Sequence, residues 1–292
     1  MTDSVRAERH IVVAYDGSES ADRALRWAAR RAQQSGTHLR VTTVATRGLD
    51  SERVLHRGID LAEEAGARAT GALVNKPLAP ALVRASEHAS MLVVGTDRSA
   101  ENAGLVLGAL PVKLAASSRC PLAVIPAASP TERRGVLCGF EVDAEGDLAL
   151  TTAVHEARRI QAPLRVIHVM PSAARVGTAT QSDLAADRVA QRLAREQIAA
   201  VLTVAHGNDG LDVTTDVRTG DPAMTLIRES EHCELLVIGS HGKTSLDTFL
   251  IGSVCHDVLM NIRCPVIVMP AVLANGKRAM TAEHDLTEHV PV

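Results

Sequence analysis

The sequence has very few aromatic residues: Tyr15, Trp27, Phe140 and Phe249 in 292 positions. Proteins that bind single-stranded nucleic acid stack bases on aromatic side chains, and four such residues are too few for that purpose. An excess of positive charge is also missing, because 31 Lys and Arg stand against 34 Asp and Glu. Both shortages argue against nucleic acid and membrane as partners and predict an aliphatic core.

Long apolar runs and paired cysteines are missing too. No run approaches the roughly 18 to 20 apolar residues of a membrane span, and the polar start MTDSVRAERH lacks the apolar segment of a signal peptide. The five cysteines form no CxxC pair, which predicts buried thiols in a reducing compartment. We therefore expect a soluble, cytoplasmic protein whose partners are small molecules or proteins.

The chain repeats itself. An offset of 125 pairs Tyr15 with Phe140 and Asp16 with Glu141, and it continues from LRVTTV at 39–44 to LRVIHV at 164–169. Further along, an offset of 144 pairs Gly95 with Gly239, Gly108 with Gly252, and Cys120 with Cys264. The sequence therefore contains a duplication, with an insertion in the second copy between residues 170 and 220.

Short apolar runs alternate with longer amphipathic stretches in both copies, as βαβ units of a parallel sheet require. One of these stretches is the inserted helix, where Ala186, Val189 and Leu193 share a face. We predict an α/β protein of two tandem Rossmann-like or flavodoxin-like domains, each with five parallel strands and helices on both faces. The expected domains are residues 1–128 and 129–292, with 271–292 as a flexible tail. The strands are expected near 11–16, 39–45, 70–75, 91–95 and 121–126, then near 135–140, 164–170, 211–218, 234–239 and 265–270.

The loop GSHGKTSLDTFLIGS at 239–253 follows the fourth strand of the second copy. Gly242-Lys243-Thr244 resembles the end of a P-loop, but the required glycine five positions earlier is Val237, so that motif is rejected. In a doubly wound sheet, ligands bind at the carboxyl ends of the strands, where the strand order reverses. The helix that begins at Gly252-Ser253 offers unpaired N–H groups there, which predicts an anion site.

Other constellations carry less weight. His241 lacks a nucleophile and an orienting partner at a recognisable spacing, so a phosphate or solvent contact is favoured over a general base. Cys255, His256 and Cys264 do not match a zinc ligand set, and no metal site is expected. His168 is interpreted as a core or rim histidine.

The spacing G-x2-G-x9-G-[ST], in a duplicated α/β chain whose last strand begins CPV, resembles the universal stress protein family. The resemblance covers nearly the whole chain, from about Ile11 to Pro270, as two tandem family domains. It implies that the loop binds the phosphates of ATP, as in those members that bind nucleotide. It also implies that an aspartate after strand one and an aliphatic residue that ends strand two hold the ribose and the adenine.

Carried over to this sequence, the resemblance implies a set of nucleotide-binding residues and no catalytic residue. The set is Asp16, Val44, Gly95 and Gly108 in the first copy and Glu141, Val169, Gly239, Gly242, Gly252, Ser253 and Val254 in the second.

Each copy departs from the motif. The first has the Asp16-Gly17-Ser18 turn, but Arg98 replaces the second glycine and Ala109 the serine. The second has the full loop, but Glu141 replaces the aspartate. Arg98 as a phosphate ligand and Asp143 as a magnesium ligand are weaker alternatives.

The leading hypothesis is a stress-response regulator that binds ATP, alone or with Mg²⁺, and whose nucleotide occupancy changes its conformation or assembly. A slow ATPase and a nucleotide-free interaction module are the alternatives. An unidentified protein partner, a homodimer and edge pairing of the two domains are also expected. The pairing would use the apolar fifth strands at 120–126 and 264–270.

Overall fold

The computed structural model describes residues 10–45, 51–75, 77–96, 110–127, 135–171, 181–206, 210–240, 251–271 and 273. The chain separates into two compact units, Met1–Ser129 and Pro130–Val292. Strands and helices alternate in both units, and every strand pair described within a unit is parallel. The predicted α/β fold class is confirmed.

The first unit has a sheet with the strand order β3-β2-β1-β4-β5. Its strands are β1 (His10–Ala14), β2 (Leu39–Val44), β3 (Ala69–Val74), β4 (Ala89–Thr96) and β5 (Leu122–Pro126). Its helices are α1 (Glu19–Ser35), α2 (Ser51–Glu64), α3 (Leu78–Ser86) and α4 (Leu110–Ser117).

The second unit repeats this order as β8-β7-β6-β9-β10. Its strands are β6 (Val136–Gly139), β7 (Leu164–Pro171), β8 (Val213–Gly220), β9 (Leu235–Gly239) and β10 (Val266–Met269). Its helices are α5 (Ala144–Arg159), α6 (Gln181–His206), α7 (Pro222–Ser230) and α8 (Ser253–Met260).

The central strands are buried on both faces, as parallel strands between helix layers must be. Residues Leu235–Ile238 of β9 are 3% exposed or less, so this strand reads as a continuous apolar run. All five cysteines are buried thiols outside any disulfide. Within the described part of the chain, no helix is both long enough and apolar enough to cross a bilayer.

Two details of the second unit differ from expectation. Helix α6 has 26 residues against 14 in α2, so it holds inserted residues. The helix buries Ala194 and Ile198, whereas Val189 and Leu193 are 47% and 51% exposed, so the predicted apolar face is not the packed one.

The second detail concerns β7. Val169 was expected to end this strand, but β7 continues to Pro171, which pairs with Gly220 of β8. The counterpart Val44 does end β2. Val169 lies two residues before the end of β7 because β8 is two residues longer than β3 and supplies hydrogen-bonding partners beyond Val169. The predicted strand at 164–170 is correct to within one residue.

Candidate functional site

The strand order reverses between β1 and β4 in the first unit and between β6 and β9 in the second. Doubly wound sheets bind ligands at such a switch point, outside the carboxyl ends of the strands. The predicted site residues that the structure describes lie at the carboxyl ends of β2, β4, β7 and β9, or follow β1, β6 and β9 in the chain.

In the first unit, a tight turn presents Asp16 at this edge. Its carboxylate is exposed and accepts a hydrogen bond from the Ser18 amide at 3.0 Å. Gly17 has a φ of +80°, a conformation that side chains other than glycine rarely adopt. Ser18 then caps α1 by accepting from the Ala21 amide. The turn holds a carboxylate at the switch point.

A hydrogen-bonded network of Tyr15, Asp22 and Arg57 adjoins this turn. The Tyr15 hydroxyl donates to Asp22 at 2.6 Å, and Arg57 of α2 binds the other carboxylate oxygen at 2.6 Å. Burial, followed by the hydrogen bond to Asp22, raises the pKa of Tyr15 well above its ordinary value. The phenol therefore stays neutral and acts as a structural donor.

Gly95 lies near the carboxyl end of β4 and has a packing role. A Cβ atom at this position would overlap the carbonyl oxygen of Ser20 in α1. Close approach of helix and strand accounts for the glycine whether or not a ligand binds there. Val44 lies at the end of β2 in the same unit.

In the second unit, the turn after β6 is built differently. The Glu141 carboxylate accepts from the next amide, that of Val142, at 3.1 Å. Its carbonyl accepts from the Asp143 amide at 2.9 Å. Asp143, considered above as a magnesium ligand, caps α5 by accepting from the Gly146 amide at 2.7 Å. This carboxylate is therefore engaged in a helix cap.

The expected adenine edge of the second unit contains His168 and Val169. His168 is 5% exposed and its Nδ1 lies 2.9 Å from the Phe140 carbonyl oxygen. The two rings pack edge to face. The interpretation of His168 as a satisfied core histidine agrees with these contacts.

Val169 is buried, with 5% of the whole residue exposed, and the direction of its backbone groups follows from its neighbours in β7. The Ile167 carbonyl accepts from the Phe140 amide and thus points toward β6. Because orientation along a strand repeats every two residues, the amide and carbonyl of Val169 point the same way. They face the side of β7 along which β6 runs, at a level beyond the end of β6 at Gly139.

Helix α8 begins close to the end of β9. Gly239 is the last residue of that strand, and the Gly252 amide donates to the Ser240 carbonyl at 2.8 Å. Gly252 is the N-cap of α8 and has no side chain with which to cap it. Ser253 and Val254 are the first two residues of the helix, and Ser253 is exposed. Their amides point toward the N-terminal end, where the helix dipole favours an anion.

Several predicted positions lie outside the described residues. They are Gly242, Gly108, His241, Arg98 and Ala109. For these the sequence remains the sole guide.

Sequence reasoning missed two residues at the base of α8. Ser240 is fully buried, and its hydroxyl accepts from the Ala271 amide at 3.1 Å. The same hydroxyl donates to Glu145 of α5 at 3.4 Å. The offset of 125 pairs Glu145 with Ser20. This replacement of a small residue by a charged one is the feature of the sequence that could have drawn attention to Glu145.

The first unit differs at the matching helix, α4. In the sequence repeat, the offset of 144 aligns Pro111 with Cys255, which is the third residue of α8. Proline has no amide hydrogen, so α4 offers one donor fewer in its first turn. Within the described part of the chain, no group of three or more His, Cys, Asp or Glu is arranged to hold a metal ion.

Comparison with known proteins identifies relatives along almost the whole chain. The sequence pattern of the Universal stress protein family matches residues 8–50 and 132–270, more than half of the chain. Universal stress protein Rv2005c of Mycobacterium tuberculosis is 28% identical over 290 residues, which cover 90% of this chain and 97% of the relative. Universal stress protein Rv2623 of the same species is 28% identical, with 88% and 95% covered.

A solved structure agrees with the fold. The crystal structure of a universal stress protein from Archaeoglobus fulgidus has a TM-score of 0.64 at 20% identity, covering 89% of this chain and 96% of that one. At this identity the likeness concerns the fold alone.

Proposed function

Since the chain belongs to the universal stress protein family, we propose that its second unit binds an adenine nucleotide, ATP in the first instance. The observation that carries the proposal is the start of α8. An exposed helix start with a glycine N-cap lies beyond β9 at the switch point, and the amides of Ser253 and Val254 would hold phosphate oxygens there.

The other end of the nucleotide would lie along β7. The backbone of Val169, turned toward the side where β6 has ended, supplies one donor and one acceptor for an adenine edge. Glu141 follows β6 and would bind the ribose hydroxyls. Its present acceptance from the Val142 amide occupies one carboxylate oxygen, Oε1.

The proposed role is regulatory. Bound nucleotide would favour one conformation or assembly state and thereby change which protein partner is engaged. The proposal assigns no catalytic residue and needs no catalysis.

The first test is identification of bound nucleotide. The purified full-length protein is denatured and the supernatant is resolved by ion-exchange chromatography; release of an adenine nucleotide, or uptake of added ATP in calorimetry, supports the proposal. Failure of both overturns it in favour of a nucleotide-free interaction module. Phosphate release above a buffer blank would instead indicate a slow ATPase.

A matched pair of variants tests the placement of the phosphates. Gly252→Asp and Gly252→Asn both supply a side chain that can cap α8, and Gly252 has a φ of −63° that either residue can adopt. The aspartate adds a negative charge where the phosphates are expected, so it should weaken ATP binding about tenfold or more relative to the asparagine. Equal ATP affinity of the two variants would place the phosphates elsewhere.

Assembly is proposed from the sequence alone. The chain is expected to form a homodimer, and its fifth strands to pair within one chain. Light scattering coupled to size-exclusion chromatography measures the mass in solution. Charged replacement of Val124 or Val268 should loosen the two domains, and unchanged proteolysis of such variants would count against strand pairing.

A further inference from the structure

Helix α6 carries a row of apolar side chains that its own unit leaves exposed. Of the five large apolar residues that the described part of the chain exposes, three lie in α6: Val189 at 47%, Leu193 at 51% and Val204 at 90%. Ala186 and Ala200 are also exposed and continue the row at helical spacing. These five residues form the outer stripe of α6, which runs for about 27 Å at about 1.5 Å per residue.

The outer stripe is distinct from the face with which α6 packs. The helix contacts α5 and β8, and among its described residues it buries Ala194 and Ile198. At about 100° per residue, Ile198 lies on the opposite side of the helix from Val189. The core of the second unit therefore does not account for the outer stripe.

The corresponding helix of the first unit has a different outer face. Helix α2 lies between β2 and β3 in the chain, as α6 lies between β7 and β8. Every exposed residue of α2 is charged or a histidine, and these residues are Glu52, Arg53, His56, Arg57, Asp60, Glu63 and Glu64. Such residues are typical of a helix face that meets only water. The exposed apolar stripe of α6 instead indicates a surface for a partner.

Two opposite charges flank the outer stripe on one side. Arg192 and Glu196 are 70% and 63% exposed, and the Arg192 Nε lies 3.7 Å from the Glu196 Oε1. They are one helical turn apart and face the same direction. A second α6, running antiparallel about a twofold axis at the level of Ala194, would place its glutamate beside Arg192 and its arginine beside Glu196. Both new contacts are attractive, so this side of the helix is complementary in charge to a second copy of itself.

The same axis matches the apolar residues. It brings the two copies of Leu193 together at the centre of the stripe and sets Val189 against Ala200 of the other copy. Arg188 lies further round the helix, about 100° from Val189, and stays outside this contact. The outer stripe is thus self-complementary in its apolar residues as well as in its charges, as an interface between identical chains requires.

We propose that the outer stripe of α6 is the surface through which two copies of this chain associate, as an antiparallel helix pair. The inference rests on the homodimer proposed above and assigns a surface to it. A single helix pair offers less area than the roughly 800 Å² per partner of a standard interface, so the dimer should be weak and depend on protein concentration.

Light scattering coupled to size-exclusion chromatography measures the mass of the full-length protein over an about hundredfold range of concentration. The wild type should shift from monomer to dimer, whereas Leu193→Asp should remain monomeric because it buries a charge at the centre of the pair. Met224→Asp is the matched control, since Met224 is 46% exposed and lies in α7 of the same unit. This control should dimerise like the wild type.

Charge reversal tests the ion pairs. Arg192→Glu places like charges beside each other twice in the dimer and should weaken association about tenfold. Adding Glu196→Arg restores opposite charges at both places and should bring the dissociation constant back to within about threefold of the wild type.

Oxidative cross-linking tests the register of the helix pair. All five native thiols are buried, so an exposed introduced thiol is the one that reacts. Leu193→Cys should give a disulfide-linked dimer. Arg188→Cys should not, because the proposed axis separates its two copies by about 18 Å along the helices.

Dimerisation of Leu193→Asp at the wild-type concentration, or equal cross-linking of the two cysteine variants, would overturn this inference and leave the homodimer standing. A wild type that stays monomeric at every concentration overturns both. Titration of the same variants with ATP judges the proposed nucleotide site separately, because none of the substituted residues belongs to it.

Discussion

The side-chain amide of Gln197 donates to Asp147 at 2.8 Å and ties α6 to α5. The first unit joins its equivalent helices through an ion pair, since Arg57 of α2 binds Asp22 of α1 at 2.6 Å. The offset of 125 pairs these two aspartates. Both copies thus use one helical carboxylate to hold the helix that follows the second strand.

Asp22 should contribute more to stability than Asp147, because it also satisfies the buried Tyr15 hydroxyl. Asp22→Ala leaves that hydroxyl without its partner, and we expect it to lower the free energy of unfolding by about 2–3 kcal/mol. Trp27, the single tryptophan, lies in α1 and reports unfolding of the first unit by fluorescence in urea.

A double-mutant cycle isolates this contact. Tyr15→Phe imposes the residue of the second copy, Phe140, and removes the hydroxyl. In that background Asp22→Ala should cost about 1 kcal/mol less than in the wild type. Strict additivity of the two substitutions would show that the hydroxyl contact is unimportant.

The two glycines Gly95 and Gly36 should differ in their tolerance of alanine. A Cβ on Gly95 meets backbone of α1 and has no room, so we expect a loss of about 2–4 kcal/mol. Gly36 has open space but a φ of +65°, and alanine there should cost about 1 kcal/mol through backbone strain alone. Urea unfolding followed by Trp27 fluorescence measures both, and the reverse order would contradict the close approach of α1 and β4.

Glu229 of α7 joins two arginines across the surface of β7 and β8. It lies 2.6 Å from Arg165 and 2.7 Å from Arg218, and its side chain is 24% exposed. Burial alone would raise the pKa of Glu229, but the hydrogen bond from Arg218 and the charge and hydrogen bond of Arg165 outweigh it and hold the pKa below the ordinary value.

A carboxylate with a lowered folded-state pKa stabilises the fold fully above its unfolded pKa and loses that contribution as the pH falls through the folded value. Glu229→Gln should therefore destabilise the second unit by about 1–2 kcal/mol at pH 7, and the difference from wild type should shrink below the ordinary pKa of 4.5. Urea unfolding followed by far-ultraviolet circular dichroism at several pH values measures this.

Glu231→Gln is the control for that experiment. Glu231 is 3.6 Å from Arg263 and 45% exposed, so its removal should have little effect at any pH. A Glu229→Gln effect that stays constant down to pH 3 would contradict the role of its charge.

The sequence predicted those features that depend on pattern. The apolar runs placed the strands, and Asp16, Glu141 and the start of α8 follow these strands in the chain, toward the carboxyl ends at which the resemblance implies a site. It did not predict which face of α6 is buried, because apolar residues occupy more than one side of that helix and packing selects between them. The contact between Glu145 and Ser240 joins residues that are far apart in the chain, and only the packing of α5 against β9 reveals it.

The two sites should be unequal, with ATP bound more tightly by the second. The second unit keeps Gly242 and Ser253, whereas the first has Arg98 and Ala109 at those positions and Pro111 in the first turn of α4. A charge-assisted hydrogen bond contributes about 1.5–3 kcal/mol, so the loss of two or three phosphate donors outweighs the longer carboxylate of Glu141.

Reciprocal substitution tests this ranking. Gly242→Arg imposes the residue of the first copy and should weaken ATP binding at least about tenfold, since about 1.4 kcal/mol suffices for that factor. Arg98→Gly combined with Ala109→Ser should strengthen the first site, because the Asp16 turn is already in place. Calorimetric titration in Mg²⁺ compares both variants with wild type. If Gly242→Arg leaves the ATP affinity intact while Asp16→Ala abolishes it, the ranking is reversed, and the loop that contains Arg98 holds the phosphates.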